Sequence, residues 1–258
     1  MIGFVLGTSE GKKFLSLINK YTSDLTVFTA TKYGGELLKD FNMKNIFSTP
    51  LDKEGFKNQI KKFSIKAMVD ASHPYAVNVS KNLIKACKET DIEYIRYERR
   101  GIIESLDNKD NISTIEKYGD LKSVLSSFDG NILNTTGSRN IKKIIDLKLE
   151  NRIVHRILPD GDILKDILTL GVQVEDVIAI KGPVGYELNK AFIKEYDIKA
   201  ILTKDSGIQG GVVEKIRAAK DTNTKIILIK KPLIDYGKIF FEEINVIEYI
   251  KKEYLLKK

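Results

Sequence analysis

Short apolar runs alternate with amphipathic stretches along the whole chain. The first run, residues 2–6, ends at Gly7, and the apolar residues at positions 14, 15, 17 and 18 follow it with helical spacing. Strands separated by helices of about 10–15 residues are typical of βαβ units, so the pattern predicts an α/β protein with parallel sheets. The predicted strands lie at residues 2–6, 25–29, 45–48, 67–69, 94–97, 132–133, 152–158, 176–180, 200–203 and 225–229.

The number of predicted strands indicates two domains. About ten strands exceed one comfortable open sheet, so we expect two doubly wound domains. The break is expected in the polar stretch 98–111, giving an N-terminal domain of residues 1–99 and a C-terminal domain of residues 100–258. Residues 111–128 and 238–252 each read as a short strand followed by a helix. Either the halves are related, or these pieces exchange places, with a terminal strand or helix packing across domains.

Composition narrows the class of protein. The chain has 258 residues, of which 42% are hydrophobic and 30% charged, as in a folded globular protein. No apolar run approaches the ~18 residues of a membrane span, and the first residues lack the basic segment of a secretory signal. Cys87 is the single cysteine, which excludes an internal disulfide and cysteine-based metal sites, and only His73 and His155 are histidines. We therefore expect a soluble, cytoplasmic protein that needs no metal.

The net charge of +8 favours an anionic partner, such as nucleic acid, phosphates or a polycarboxylate, although a lysine-rich surface can serve solvation alone. Nucleic-acid modules usually concentrate basic residues on one face or tail, whereas the lysines here are scattered. We therefore expect neither nucleic acid nor a membrane as a partner.

Polar loops after the predicted strands are the candidates for chemistry, because ligands of parallel α/β sheets bind outside the carboxyl ends of the strands. Residues 7–11, GTSEG, place a glycine and two hydroxyls there, without the spacing of a dinucleotide fingerprint. Residues 70–76, DASHPYA, combine an acid, a hydroxyl, an imidazole and a phenol, and Pro74 restricts His73 to extended backbone. A helix cap or a structural hydrogen bond would explain either loop without a ligand.

Arginine concentrates in residues 96–100, RYERR. Arg96 and Glu98 share one face of a strand, so an internal ion pair is one interpretation, while Arg99 and Arg100 fall near the expected domain junction, where a polyanion would lie. In the second half, glycine and hydroxyl or lysine side chains follow strands at residues 135–140, 181–189 and 204–215. Their recurrence in one position of the fold predicts a shared cleft.

The chain has no G-x-S-x-G, P-loop or H-E-x-x-H motif, so a cofactor with its own reactive group would fit such a cleft. The loops contain seven segments in a fixed order: GTSEG (7–11), DASHPYA (70–76), RYER (96–99), TTGS (135–138), RILP (156–159), GPVGYELN (182–189) and KDSGIQGG (204–211). Across essentially the whole chain they resemble the precorrin-6A reductase family, including its cobalt-precorrin-6A branch. The chain departs from that pattern at Val184, where a bulky aromatic is expected, and at Ser72, where threonine is commoner.

The resemblance implies two Rossmann-like doubly wound parallel-sheet domains with an interdomain cleft. It implies an enzyme that reduces one ring carbon–carbon double bond of precorrin-6A or cobalt-precorrin-6A in cobalamin biosynthesis, with NADPH or NADH as the hydride donor. The implied substrate is a tetrapyrrole polycarboxylate, which suits a basic protein. Hydride transfer would be followed by protonation of the adjacent carbon by a side chain or by water. The sequence leaves the nucleotide, the presence of cobalt and the oligomeric state open.

Three roles are assigned to residues within this resemblance, and none of them is a metal ligand. The candidate proton donors are His73, Tyr75 and Asp205. Cofactor binding is predicted for Gly7, Thr8, Ser9, Glu10 and Thr31, and, as a second phosphate cradle, for Thr136, Gly137 and Ser138. Substrate binding is predicted for Arg99, Arg100, Lys181, Gly182, Lys204, Ser206 and Gly207.

Two alternatives remain open from the sequence. A Rossmann-type methyltransferase of the same pathway would need an acidic residue on the second strand, but Thr29, Thr31 and Lys32 stand there and fit an NADP 2′-phosphate at least as well. A non-enzymatic module, either a nucleic-acid binder or a tetrapyrrole carrier, is the second alternative.

Overall fold

The structure is a computed structural model that describes residues 1–7, 10–103, 111–125, 128–207 and 210–256. The chain divides into two compact units, of which unit 1 comprises residues 1–100 and 232–258 and unit 2 comprises residues 101–231. The sequence-based division ended the first domain at residue 99 and assigned the whole remainder to the second, apart from a terminal strand or helix. The structure places the terminal segment with unit 1.

The described residues form the strands β1 (Ile2–Leu6), β2 (Leu25–Phe28), β3 (Asn45–Phe47), β4 (Ala67–Ala71), β5 (Glu93–Tyr97), β6 (Ile112–Ile115), β7 (Asn131–Asn134), β8 (Ile153–Ile157), β9 (Val177–Ala179), β10 (Ile198–Lys204), β11 (Lys225–Ile229) and β12 (Lys238–Phe240). The α-helices are α1 (Gly11–Ile18), α2 (Lys32–Glu36), α3 (Lys53–Lys62), α4 (Val77–Glu89), α5 (Leu121–Leu125), α6 (Ile141–Ile145), α7 (Gly161–Thr169), α8 (Tyr186–Glu195), α9 (Val212–Asp221) and α10 (Glu243–Ile250).

Unit 1 contains a six-stranded parallel sheet in the order β3-β2-β1-β4-β5-β12. Strands β1, β2 and β4 are buried along their whole length, as expected when helices cover both faces of a parallel sheet. On one face Phe4 and Val69 pack with apolar residues of α1 and α10, and on the other Val5 and Met68 pack with those of α3 and α4. Each face of the sheet therefore has its own apolar core.

Unit 2 contains a second six-stranded parallel sheet in the order β9-β8-β7-β10-β11-β6. Both sheets have the doubly wound strand order, but each takes its sixth strand from an unexpected place in the sequence. β6 follows β5 in the chain and pairs with β11, whereas β12 follows β11 and pairs with β5. Residues 238–240 therefore complete the sheet of the N-terminal half, and residues 112–115 complete the sheet of the C-terminal half.

Polar side chains reinforce the return of the chain to unit 1. The carboxylate of Glu93, at the start of β5, accepts hydrogen bonds from the hydroxyls of Tyr249 and Tyr254 and pairs with Lys238. Val246 and Ile247 of α10 are fully buried in the core of unit 1. Helix α10 is thus a structural part of the N-terminal sheet layer.

No helix among the described residues is long and apolar enough to cross a bilayer. The same part of the chain contains no group of three or more His, Cys, Asp or Glu residues placed to hold a metal ion.

Candidate active site

The described residues of all seven segments that carry the family resemblance lie at the carboxyl ends of strands. In unit 1 they begin within the last two residues of β4 and β5 or directly after β1, and in unit 2 they begin within three residues of the ends of β7, β8, β9 and β10. Because each sheet is parallel, three segments share one edge of unit 1 and four share one edge of unit 2. The pattern predicted from strand ends is therefore present in both units.

In unit 1, a buried ion pair lies beside Gly7, the residue that directly follows β1. The carboxylate of Glu10 contacts the guanidinium of Arg99, and the two side chains are only 3% and 5% exposed. Burial raises the pKa of Glu10, and the charge of Arg99 opposes that shift. A Cβ on Gly7 would stand 3.2 Å from Oε2 of Glu10, so the acid fills the space under the glycine turn. Thr8 and Ser9, two of the predicted cofactor ligands, lie outside the described residues.

Two further predicted residues of unit 1 have simple surroundings. Thr31 is the N-cap of α2, and its hydroxyl accepts a hydrogen bond of 3.0 Å from the backbone N–H of Gly34. Arg100 is exposed, lies 5.2 Å from the ring of Phe241 and is 3.8 Å from a carboxylate oxygen of Glu242. A role of Arg100 in binding a polyanion is compatible with this exposure and stays a prediction.

The imidazole of His73 is exposed at the edge of unit 1, directly beyond β4. Its Nδ1 accepts a hydrogen bond of 3.3 Å from the backbone N–H of Tyr75, and the two rings are 5.7 Å apart between centroids. An accepting Nδ1 places the proton of the neutral imidazole on Nε2, so Nε2 is the nitrogen that can donate. The half-buried Tyr75 and His73 thus belong to one short loop that presents two proton donors.

Beneath this loop, Asp70 and Arg96 form a second ion pair, 2.9 Å from Nη1 of Arg96 to Oδ1 of Asp70, and both side chains are inaccessible to solvent. Burial would raise the pKa of Asp70, but Arg96 and the hydrogen bonds from Ser72, Ser80 and Tyr94 outweigh it and hold that pKa below its ordinary value. Arg96 also pairs with Glu98, which confirms the ion pair inferred from their shared strand face. At neutral pH the carboxylate of Asp70 is therefore an ionised hydrogen-bond acceptor.

In unit 2, Asn134 fixes the loop that follows β7. Its Oδ1 accepts hydrogen bonds from the backbone N–H and the hydroxyl of Thr136, at 3.0 and 2.7 Å. Its Nδ2 lies 3.0 Å from Nδ1 of His155, and burial lowers the pKa of that imidazole to about 4. His155 is accordingly a neutral, structural histidine, and the sequence signal for this arrangement is the asparagine directly before the Thr-Thr-Gly-Ser segment.

The residues after Thr136 form an open, basic cradle. Gly137 has a φ of +87°, and a Cβ built on it would meet nothing within 4 Å. Nζ of Lys204 donates a 2.7 Å hydrogen bond to the carbonyl of Thr136. Burial, together with the charges of Arg139 and Lys143, lowers the pKa of Lys204 to about 8. A glycine turn open to solvent and three neighbouring cations suit a phosphate or a carboxylate, so the anionic part of a nicotinamide dinucleotide fits these residues.

The carboxylate of Asp205 connects the start of the loop after β10 to the backbone at residues 101 and 102. Oδ1 of Asp205 accepts a 3.0 Å hydrogen bond from the backbone N–H of Ile102, and a Cβ on Gly101 would stand 2.6 Å from its Oδ2. The carboxylate is 6% exposed. Ser206 is also buried, and Gly210 lacks room for a Cβ because the Oγ of Ser206 would be 1.8 Å away. Gly207 has a φ of +75°, and its carbonyl accepts a 3.1 Å hydrogen bond from the backbone N–H of Gly210.

Lys181 and Gly182 are exposed after β9, and Val184, where the family pattern has an aromatic, is buried. Two cations of unit 2, the half-buried Arg156 and the buried Lys215, have no role predicted from the sequence. Arg156 donates a 2.8 Å hydrogen bond to Asn189, and burial lowers its pKa to about 10. Lys215 donates to the carbonyl of Gly210 at 3.1 Å, and burial lowers its pKa to about 7. The available signal for Lys215 was its spacing from the apolar residues 212, 218 and 219 of α9.

An open cavity of about 650 Å³ lies elsewhere in unit 2, among residues such as Gly130, Asn131 and Arg152. These residues are at the amino ends of β7 and β8, at the opposite edge of the sheet from the seven segments. Because ligands of doubly wound sheets bind at carboxyl ends, we do not assign the activity to this cavity.

Two doubly wound parallel sheets, each with its polar loops gathered at the carboxyl edge, define a Rossmann-like α/β protein. The chain belongs to the family described as "Precorrin-6x reductase CbiJ/CobK", whose model matches residues 2–251. It is 35% identical over 222 residues to a cobalt-precorrin-6A reductase of Methanocaldococcus jannaschii, covering 86% of each chain. It is 36% identical over 250 residues to a cobalt-precorrin-6A reductase of Priestia megaterium, covering 95% of this chain and 96% of the relative.

A solved structure named CobK precorrin-6A reductase has the same fold. It superposes with a TM-score of 0.78 over 100% of this chain and 99% of its own, at 14% sequence identity. At that identity the similarity speaks to the architecture alone.

Proposed function

We propose that this chain reduces one carbon–carbon double bond of the macrocycle of cobalt-precorrin-6A, with a reduced nicotinamide dinucleotide as the electron donor, in cobalamin biosynthesis. The observation that carries the proposal is the placement of all seven family segments at the carboxyl ends of strands in a chain that belongs to this reductase family. The cobalt-containing substrate is chosen because the relatives at 35% and 36% identity bear that name, whereas relatives named precorrin-6A reductase are 25% identical.

A reduced nicotinamide supplies a hydride when bound, and the substrate carbon next to the one that accepts it takes a proton, so that two electrons and two hydrogens add across the double bond. The cradle of Thr136, Gly137 and Ser138, with Lys204 beside it, is proposed to hold an anionic group of a ligand. No carboxylate occurs in residues 29–35 to bind a ribose diol, and Lys32 is the cation there that suits a 2′-phosphate. NADH and NADPH are therefore both candidate electron donors.

His73 is proposed as the proton donor, with Tyr75 as the second candidate. Nε2 of His73 carries the proton of the neutral ring, and the imidazole is exposed at the carboxyl edge of the sheet. Asp205, the third residue predicted for this role, is less suited, because its carboxylate accepts the N–H of Ile102 and lies against Gly101. A general acid contributes about 100- to 10,000-fold when it is well placed.

Several cations line the carboxyl edges and suit a substrate that carries many carboxylates. Arg100, Lys181 and Lys204 are accessible to a ligand, whereas Arg99 is buried against Glu10. Substrate contacts through Gly182, Ser206 and Gly207 would use backbone groups or the buried Ser206 hydroxyl. These assignments are proposals about single residues and are separate from the reaction itself.

The decisive experiment is an anaerobic assay of nicotinamide oxidation with cobalt-precorrin-6A and with metal-free precorrin-6A, each with NADH and with NADPH. Oxidation that requires the macrocycle, together with a shift of its absorption spectrum, is the expected result, with the cobalt form preferred. If neither macrocycle supports oxidation of either nucleotide, the proposed function is wrong. His73→Ala and His73→Gln both remove the imidazole. Each should lower kcat by about 100-fold if that ring transfers a proton.

A further inference from the structure

The carboxylate of Asp70, near the end of β4, accepts hydrogen bonds from both sides of the loop that contains His73. Oδ1 accepts a 2.9 Å hydrogen bond from the backbone N–H of Ser72, the residue before His73. Oδ2 accepts a 2.6 Å hydrogen bond from the hydroxyl of Ser80, in the first turns of α4. The loop between β4 and α4 is thus spanned by a single side chain. The hydroxyl of Tyr94 completes the set of donors to Oδ2, at 2.7 Å.

Arg96 is paired in register with Asp70 on the neighbouring strand, and its side chain also contacts Asp70 and Ser72. Its Nη1 is 2.9 Å from Oδ1 of Asp70, 3.4 Å from the Asp70 carbonyl oxygen and 3.3 Å from the Oγ of Ser72. The opposite side of the guanidinium is fixed by Glu98, at 2.9 and 2.7 Å, and Tyr236 covers its plane at 4.8 Å. A planar fork bound on both sides cannot rotate, so it sets the position of Ser72.

The orientation of His73 depends on this backbone. The ring itself is exposed, and the hydrogen bond of its Nδ1 comes from the N–H of Tyr75 in the same loop. The carbonyl of His73 accepts the N–H of Ala76 at 2.7 Å, which makes the loop one short, continuous turn. Fixing Ser72 at one end and Ser80 at the other therefore fixes the direction in which the imidazole points.

Stability alone is a poor explanation for this cluster. Burying two full charges costs much of what their attraction returns, and apolar residues of similar size often serve the fold equally well. A buried network of hydrogen bonds does restrict geometry, and this one lies directly under the loop with the two candidate proton donors. We propose that Arg96 and Asp70 are positioning residues that hold residues 72–75, and through them the imidazole of His73, in the orientation that the reaction uses. The inference rests on the proposed function and on the part that His73 has in it.

Three variants separate positioning from folding. Arg96→Lys keeps the charge but loses the fork, and Ser72→Ala removes the contact from Nη1 to the loop. Tyr94→Phe is the matched control, because it removes a hydrogen bond to the same carboxylate from β5 and leaves the contacts of Ser72 in place. We expect Arg96→Lys to lower kcat about 10- to 100-fold with little change in KM, a smaller fall of the same kind in Ser72→Ala, and kcat within about 2-fold of wild type in Tyr94→Phe.

The same variants are then made in the His73→Ala background. If Arg96 acts through His73, Arg96→Lys has no further effect on kcat there, whereas a purely structural role gives effects that multiply. Full additivity, or equal losses in Ser72→Ala and Tyr94→Phe, would overturn the positioning role while leaving the function of the enzyme intact.

A spectroscopic measurement makes the test independent of turnover. The chain has two histidines, so the imidazole signals of His73 and His155 can be followed in ¹⁵N-labelled protein. The His73 signal should shift or broaden in Arg96→Lys and Ser72→Ala and stay in place in Tyr94→Phe, with His155 unchanged in all three. An unchanged His73 signal in Arg96→Lys would contradict the inference even if the macrocycle proved not to be the substrate.

Discussion

Arg99 and Glu10, which are 89 positions apart in the sequence, form an ion pair that is buried within unit 1. Removing one partner leaves the other as an uncompensated buried charge, which costs about 3–5 kcal/mol. We therefore expect Arg99→Met to lower the free energy of unfolding by that amount, and Arg99→Met combined with Glu10→Gln to recover most of it. Urea denaturation of the two single variants and the double variant measures the coupling.

Arg100→Met is the control for this pair, because Arg100 is exposed and its replacement should change stability by less than about 0.5 kcal/mol. The stable double variant also tests the predicted role of Arg99 in substrate binding. A raised KM for the macrocycle in that variant would support a direct contact, and a normal KM would limit Arg99 to its structural partnership with Glu10.

Asp205 supplies a second test, which separates acid catalysis from support of the backbone. Asp205→Asn keeps an Oδ1 acceptor for the N–H of Ile102 but removes the ionisable proton. We expect nearly wild-type kcat in this variant. Gly101→Ala, in contrast, would press a methyl group against Oδ2 of Asp205 and should lower stability by about 1–3 kcal/mol. A fall in kcat of about 100-fold in Asp205→Asn, with unfolding unchanged, would instead identify Asp205 as the proton donor.

Gly137 tests the proposed anion cradle. Gly137→Ala places a Cβ in open space at a φ of +87°, so its backbone strain should cost about 1 kcal/mol and its methyl group should obstruct an incoming ligand. Gly171→Ala is the matched control, since Gly171 has a φ of +91°, an equally open Cβ position and a place beyond α7. We expect similar thermal destabilisation in the two variants. The KM for the nucleotide or for the macrocycle should rise in Gly137→Ala alone. Equal KM values would place the ligand elsewhere.

Lys204 predicts a pH dependence of ligand binding. Its pKa of about 8 means that the ammonium is fully charged well below that pH and loses its charge as the pH rises through it. The KM of the anion that it contacts should therefore rise above about pH 8 in the wild type, and it should remain flat in Lys204→Arg, which stays protonated. Measuring KM separately for the nucleotide and the macrocycle identifies which ligand this lysine meets.

His155 predicts a pH dependence of folding. The buried, folded imidazole has a pKa of about 4 against an ordinary value of 6.5, so the unfolded chain binds a proton in that window that the folded chain does not. Stability should fall as the pH is lowered from about 6.5 towards about 4, with a loss of about 2 kcal/mol by pH 5. His155→Asn should flatten this slope, and the exposed-site control His73→Gln should not. Equal slopes in the wild type and His155→Asn would show that other groups control this range.

The sequence was sufficient for much of this architecture, and the reason is local. The end of β1 at Leu6 is marked by an abrupt change from apolar to polar residues, and in β4 the same change, at Asp70, precedes the end of the strand at Ala71 by one residue. In parallel sheets that change also locates the ligand-binding edge. The ion pair between Arg96 and Glu98 was likewise predictable, because residues two apart on a strand share a face.

Contacts between residues far apart in the sequence could not be predicted from the pattern of apolar and polar positions. A three-residue strand such as β12 has the same sequence signature whichever sheet it joins, and its place beside β5 depends on packing by α10 and on the contacts of Glu93. In the same way, the predicted strand ends identified Glu10 and Asp205 as polar residues in the following loops. The sequence could not assign their partners, Arg99 and the N–H of Ile102.

The return of residues 232–258 to unit 1 has a consequence for synthesis on the ribosome. The six strands described in unit 2 are synthesised before β12 and α10, so the later half of the protein can finish its sheet while the earlier half still lacks an edge strand and a covering helix. The apolar core of unit 1 is completed last, because Val246, Ile247 and Ile250 of α10 are part of it. A premature stop codon shortly after residue 231 would consequently damage the half of the protein that was translated first.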